Sequence, residues 1–84
     1  MTYKLLIVDD FFVEREKVKE LIAASGLGLD VIGEACDGTE ALAMIECDPP
    51  DFVLTDIEMP FMNGLEFAQE LRRRRPDTDI IFFT

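Results

Sequence analysis

Short apolar runs alternating with helix-spaced segments restrict this chain more than any other feature, and one run carries the most information. It is Asp51-Phe-Val-Leu-Thr-Asp56, continued by Ile57-Glu-Met-Pro60-Phe-Met62-Asn-Gly64. Phe52, Val53 and Leu54 are strand formers in a run too short for a helix, with Pro49-Pro50 in front. The run stops on a carboxylate, Asp56. Pro60 and Gly64 then mark a compact loop that leads into a helix. Open parallel sheets keep their chemistry at the carboxyl ends of their strands, so position alone makes Asp56 a candidate reactive group.

The rest of the chain repeats this alternation. Lys4 to Val8 is a nearly continuous apolar run ending in Asp9-Asp10, which predicts a second buried strand with acids at its carboxyl end. A helix is expected from Phe12 to Ser25, with Phe11, Val18, Leu21 and Ile22 along one side and Gly26 as its stop. Val31 to Ala35 reads as a short strand at the sheet edge, tempered by Glu34. Asp37-Gly38 signals a turn, and Thr39 is the expected cap of the next helix. That helix buries Ala41, Leu42 and Ile45 and ends at Asp48-Pro49-Pro50. Gly64, Phe67, Ala68 and Leu71 have the i, i+3, i+4, i+7 spacing of a helix packed on a sheet, closed by Pro76-Asp77. Asp79 to Thr84 is the last strand. The order β-α-β-α-β-α-β predicts an α/β fold, a parallel sheet with helices on both faces and right-handed crossovers.

Composition removes several functions. The chain has 84 residues, one domain at most, and 18 acids against 8 bases give a net charge of -10. A surface of that sign does not attract a phosphate backbone, so no nucleic-acid contact is expected. No apolar run approaches a membrane span and no signal-peptide pattern opens the chain, so the expected location is cytoplasmic. Cys36 and Cys47 are expected to be reduced, core or half-buried thiols, too far apart for a bond and without further ligands for zinc. Arg72 to Arg75 wrap around the end of a helix, where positive charge suits the macrodipole, and form no single face. For Phe11 and Phe61-Met62 the expectation is core and loop packing.

Singly, the polar signals are weak: Asp9-Asp10 could cap a helix, Asp56 could be a turn acid, and Met59-Pro60 could be loop packing. Together, Asp9, Asp10 and Asp56 all fall at carboxyl ends of strands and converge on one edge of a parallel sheet. Carboxylates so close repel one another, and a hard divalent cation, Mg2+ first, would relieve them. Such a site, with one forward carboxylate and a nearby hydroxyl, suits phosphoryl transfer.

At this point the chain resembles the receiver domains of two-component response regulators. The pieces that carry the resemblance are Leu5-Leu-Ile-Val-Asp-Asp10, Gly33-Glu-Ala, Asp37-Gly-Thr-Glu-Ala-Leu42, Asp51 through Pro60, Met62-Asn-Gly64 and Ile80-Ile-Phe-Phe-Thr84. Their phrasing looks closest to regulators with an AraC-type DNA-binding domain. The resemblance implies the flavodoxin-like, doubly wound parallel fold over residues 1–84. It also implies a role for each matched residue. Asp56 would be the phosphoacceptor for a sensor histidine kinase. Asp9, Asp10, Asp56 and the backbone carbonyl of Glu58 would hold Mg2+. Thr84 would be the switch hydroxyl, and Met59, Pro60 and Gly64 would shape the loop behind the acceptor. The protein would be a signalling module, not an enzyme, with an output in transcription control.

A complete receiver has two more helices and a fifth strand bearing a lysine and an aromatic switch residue, and this chain stops at Thr84. Slow or poorly retained phosphorylation is therefore expected. So is association through an open last strand, where Ile80, Ile81, Phe82 and Phe83 place two apolar side chains on each face, each worth roughly 1.5–3 kcal/mol when buried. A homo-oligomer, by strand pairing or element exchange, follows from that expectation. Two other readings remain open. One is a Mg2+-dependent phosphohydrolase of the haloacid-dehalogenase type, although Glu58 stands where such enzymes carry a second Asp. The other is an interaction fragment without phosphoryl chemistry.

Overall fold

Every strand of the structure runs parallel, because each is returned to the same starting edge by a helix. The computed structural model describes residues 2–83. The elements are β1 (Tyr3–Val8), α1 (Phe12–Ser25), β2 (Leu29–Ala35), α2 (Gly38–Cys47), β3 (Phe52–Asp56), α3 (Gly64–Arg74) and β4 (Asp79–Phe83). The strand order is β2-β1-β3-β4, which is the flavodoxin-like order over these elements. β1 and β3 lie inside the sheet; β2 is at one edge, as expected, and β4 at the other among the described residues.

β2 begins at Leu29, two residues before the expected start, because Leu29 and Asp30 pair with Tyr3 and Lys4. A register irregularity follows between Leu5 and Leu6. Asp30 is a poor strand former and conceals this extension in the sequence.

The two faces of the sheet are built differently. Leu6, Val8 and Val53 point to one face and meet Ala41, Leu42 and Ile45 of α2 and Phe67 and Leu71 of α3; all are buried. Each side chain contributes roughly 1.5–3 kcal/mol on full burial, so this face supplies most of the stability. Gly33 and Gly38 allow close packing here, since a β-carbon at Gly38 would lie 2.9 Å from Met62 Sδ.

The opposite face carries α1, and α1 has no buried residue. Its half-buried positions are Arg15, Glu16, Val18, Lys19 and Ile22, and all but Glu16 form an i, i+3, i+4, i+7 stripe of mixed polarity. The expected apolar stripe is thus corrected. Leu21 is exposed, and Phe11 is the extended residue before the helix rather than part of its face. What fastens α1 is largely polar: Arg15 Nε donates to Glu34 Oε1 at 3.1 Å and Lys19 Nζ to Glu34 Oε2 at 2.8 Å. Glu34, the residue that made β2 look like a weak strand, is the anchor.

Further corrections concern caps and thiols. Asp37, not Thr39, caps α2, its Oδ1 accepting the Glu40 N–H at 2.8 Å. The short Asp side chain in extended backbone reaches that amide, whereas Thr39 already lies inside the helix. Cys36 and Cys47 are free but exposed, not core or half-buried, because each lies at an element end. Arg73 and Arg74 pair with Glu70, and Arg74 and Arg75 approach Glu46 at 3.7 and 3.9 Å, so two carboxylates offset part of the charge of the arginine run at this helix end.

Glu34 generates a prediction. Lys19 above all, and then Arg15, hold its carboxyl below the ordinary value of 4.5 against a desolvation that opposes them. A depressed folded-state value means stability that is complete above the unfolded value and is lost as pH falls through the folded one. Glu34→Gln should therefore cost about 1–2 kcal/mol at pH 7 and less at pH 3. Hydrogen exchange should show α1 amides losing protection while β1 and β3 keep theirs.

Candidate functional site

The register of the interior strands creates the site. Val8 of β1 lies opposite Thr55 of β3, so the next residues, Asp9 and Asp56, emerge side by side at the carboxyl rim. Oxygen atoms of Asp9, Asp10 and Asp56 lie within 4.8 Å of one another. The convergence expected from the sequence is present.

The three acids differ in environment. Asp9 is 1% exposed. Its Oδ1 accepts the Phe11 N–H at 3.0 Å, and its own N–H donates to the Ala35 carbonyl at 3.0 Å. Burial pushes the Asp9 carboxyl up, with repulsion from Asp56 and Asp10 adding to it and the Phe11 N–H opposing. Asp10 Oδ1 is buried with no hydrogen-bond partner. Asp56 is half-buried, and its Oδ1 receives the Glu58 N–H only loosely, at 3.4 Å. Asp10 and Asp56 thus both keep carboxylate oxygens largely uncommitted, while Asp9 is the buried, hydrogen-bonded member.

An unpartnered buried carboxylate oxygen beside two further acids is what a hard cation would satisfy, so the residues fit Mg2+. A second cluster, Cys36, Asp37 and Glu40, brings its ligand atoms equally close. There the Cys36 thiol donates to Glu40 Oε2 at 3.0 Å and is pushed up, away from the thiolate a soft metal needs.

The loop after Asp56 is anchored at both ends. Met59 and Met62 pack on the core. The Gly64 N–H donates to the Ile57 carbonyl at 2.6 Å, and Asn63 and Glu66 form a reciprocal capping box at 2.9 and 3.1 Å. Pro60 is exposed and its carbonyl accepts the Met62 N–H at 2.7 Å. Gly64 is the position where close approach is required: a β-carbon would collide with the Asp56 carbonyl oxygen and lie 2.8 Å from Ile57 Cα. The expected packing of Phe11 and Phe61 is corrected, since they are 62% and 92% exposed, whereas Met62 does pack. The loop uses its methionines as anchors and turns Phe61 outward. Thr84, the assigned switch hydroxyl, lies outside the described residues.

Two supporting residues escaped the sequence analysis. Thr55, fully buried, donates its hydroxyl to the Asp56 carbonyl at 3.0 Å and contacts Met59 Sδ at 3.8 Å. A lone hydroxyl within the apolar run before Asp56 was its signal. Arg15 Nη1 donates to the Asp9 carbonyl at 2.6 Å, and only its place one turn into α1 hints at this.

Comparison with known proteins agrees with this geometry. Residues 5–84 match the family model described as the response regulator receiver domain. A protein-glutamate methylesterase/protein-glutamine glutaminase of Pseudoalteromonas atlantica is 42% identical over 82 residues, 98% of this chain and 21% of that protein. A crystal structure of a two-component transcriptional regulator AraC from Clostridium phytofermentans superposes with TM-score 0.87 at 34% identity, over 96% of this chain and 65% of that one. A two-component response regulator of the LuxR family from Aurantimonas superposes with TM-score 0.92 at 31% identity, over 100% and 59%. The chain thus spans about a fifth of the curated relative named here.

The Gly64 contact yields a test. Gly64→Ala should lower stability by about 1–3 kcal/mol, read as a lower urea midpoint with an unchanged slope. The overlap falls on backbone, which cannot swing aside as a side chain would.

Proposed function

Since this chain belongs to the response regulator receiver domain family, we propose that Asp56 takes a phosphoryl group from the phosphohistidine of a sensor histidine kinase. The observation that carries the reading is the acid trio at the rim, with Asp9 buried and Asp10 and Asp56 half-buried. An Asp56 oxygen attacks phosphorus in line. An O–P bond forms as the N–P bond breaks, and the electron pair leaves with the imidazole. Asp9, Asp10, Asp56 and the Glu58 carbonyl would hold Mg2+, which when bound offsets the negative charge of the phosphoryl oxygens.

The other residues position. The Thr55 hydroxyl fixes the Asp56 carbonyl, and Gly64 lets the loop close on it. Arg15 fixes the Asp9 carbonyl from α1. The role is that of a cytoplasmic signalling module that turns over no separate substrate. No helix among the described residues is long and apolar enough to cross a membrane. The output we assign is transcription control, which the AraC- and LuxR-type neighbours support. The 42% identical methylesterase favours a second output, an enzymatic one.

Self-association through β4 belongs to the same proposal. Ile81 and Phe82 are 48% and 39% exposed on a strand paired on one side only among the described residues. Sedimentation of the 84-residue chain should give a dimer or larger species, and a compact monomer at high concentration would overturn this.

The central test uses beryllium trifluoride, a phosphoryl mimic. With MgCl2 it should raise the Tm of the parent chain and leave Asp56→Asn unchanged. Turnover of small phosphomonoesters, lost in Asp56→Asn, would replace the receiver reading with a hydrolase.

A further inference from the structure

The loop behind Asp56 holds a feature that phosphoryl chemistry leaves unused. Phe61 has φ +69°, the left-handed region, and no other non-glycine among the described residues does. Its ring is 92% exposed. A bulky side chain strains the backbone there, and the ring recovers nothing by packing. The loop is nevertheless fixed on either side of it, by Met59 and Met62 on the core and by the Met62 N–H on the Pro60 carbonyl at 2.7 Å. Phe61 is held out rather than loose. Across the rim, Phe11 and Phe12, just after Asp9-Asp10, are 62% and 63% exposed. Exposed rings therefore follow both acid-bearing strand ends.

We propose that Phe61 is a docking and specificity residue, seating on an apolar protein surface that carries the phosphoryl donor. The inference rests on the reading of Asp56 as acceptor. A donor group that reaches Asp56 brings its own protein surface over the loop that follows Asp56. A ring carried on a backbone that is already fixed leaves less chain to order on contact, which makes it an efficient anchor. The acid trio and the net charge of -10 disfavour nucleic acid or an anionic membrane as the occupant. A small phosphodonor would have no use for the ring.

The test compares donors. Labelling of the 84-residue chain at Asp56 is measured with Mg2+ from a panel of purified autophosphorylated histidine kinases and, separately, from acetyl phosphate. Phe61→Gly should lower the kinase-to-acetyl-phosphate ratio at least about tenfold for every kinase that labels the parent, the loss of one aromatic anchor. Phe61→Leu, which keeps an apolar contact, should fall between. The Tm of Phe61→Gly should not drop, since glycine relieves the strain. An unchanged ratio, a lowered Tm, or a parent labelled by acetyl phosphate but by no kinase would each overturn the docking role. A parent labelled by neither donor would overturn the reading of Asp56 itself, and this inference with it.

Discussion

The pairing of β1 with β3 is the constraint on which the rest depends. With Val8 opposite Thr55, the side chains of Leu6, Val8 and Val53 fall on the face that α2 and α3 cover. A slip of one residue would turn all of them to the other face, away from α2 and α3. The same slip would part Asp9 from Asp56. Packing of the core therefore fixes the spacing of the acids, and no separate device is needed to gather them. Their mutual repulsion acts at the end of a ladder that is interior to the sheet, so it does not open the rim.

The unequal faces follow from the same register. One is dry and apolar, and it sets where the rim lies. The other is covered by a helix whose half-buried stripe is Arg15, Val18, Lys19 and Ile22. Polar fastening is weaker than apolar burial and reversible by competing charge. Arg15 also reaches the Asp9 carbonyl, so the less firmly held helix is the one wired to the acid pair. A cleft of about 430 Å3 between α1 and β4, lined by Val18, Ile22, Leu54 and Phe83, leaves that side with apolar surface still open.

What was legible in the sequence was whatever depended on local pattern. Runs of strand formers located β1, β3 and β4, and the placement of acids just after them located the rim. The bounds of α1 followed from periodicity, but its buried face did not. A stripe containing Arg and Lys looks like a solvent face until the partner, Glu34 on a strand remote in sequence, is known. Asp37 and Thr39 were both chemically fit to cap α2, and backbone conformation, φ -155° at Asp37, decided between them. The exposed thiols and rings were misplaced because hydrophobicity was read as burial. That inference fails at element ends and loop tips, where geometry leaves nothing to pack against.

The backbone around Asp56 is held more tightly than its side chain. The Asp56 carbonyl takes the Thr55 hydroxyl and leaves no room for a β-carbon on Gly64, while the Gly64 N–H ties the loop to Ile57. The Asp56 carboxylate, by contrast, has one long contact, at 3.4 Å. A fixed main chain with an uncommitted carboxylate suits the role proposed for Asp56, which would gain and lose a bulky anion without moving its strand. Satisfying the carboxylate with internal hydrogen bonds would stabilise the folded chain and blunt its nucleophilicity. The loop thus carries its constraints in the backbone, at Gly64 and Phe61, and keeps the Asp56 carboxylate unencumbered.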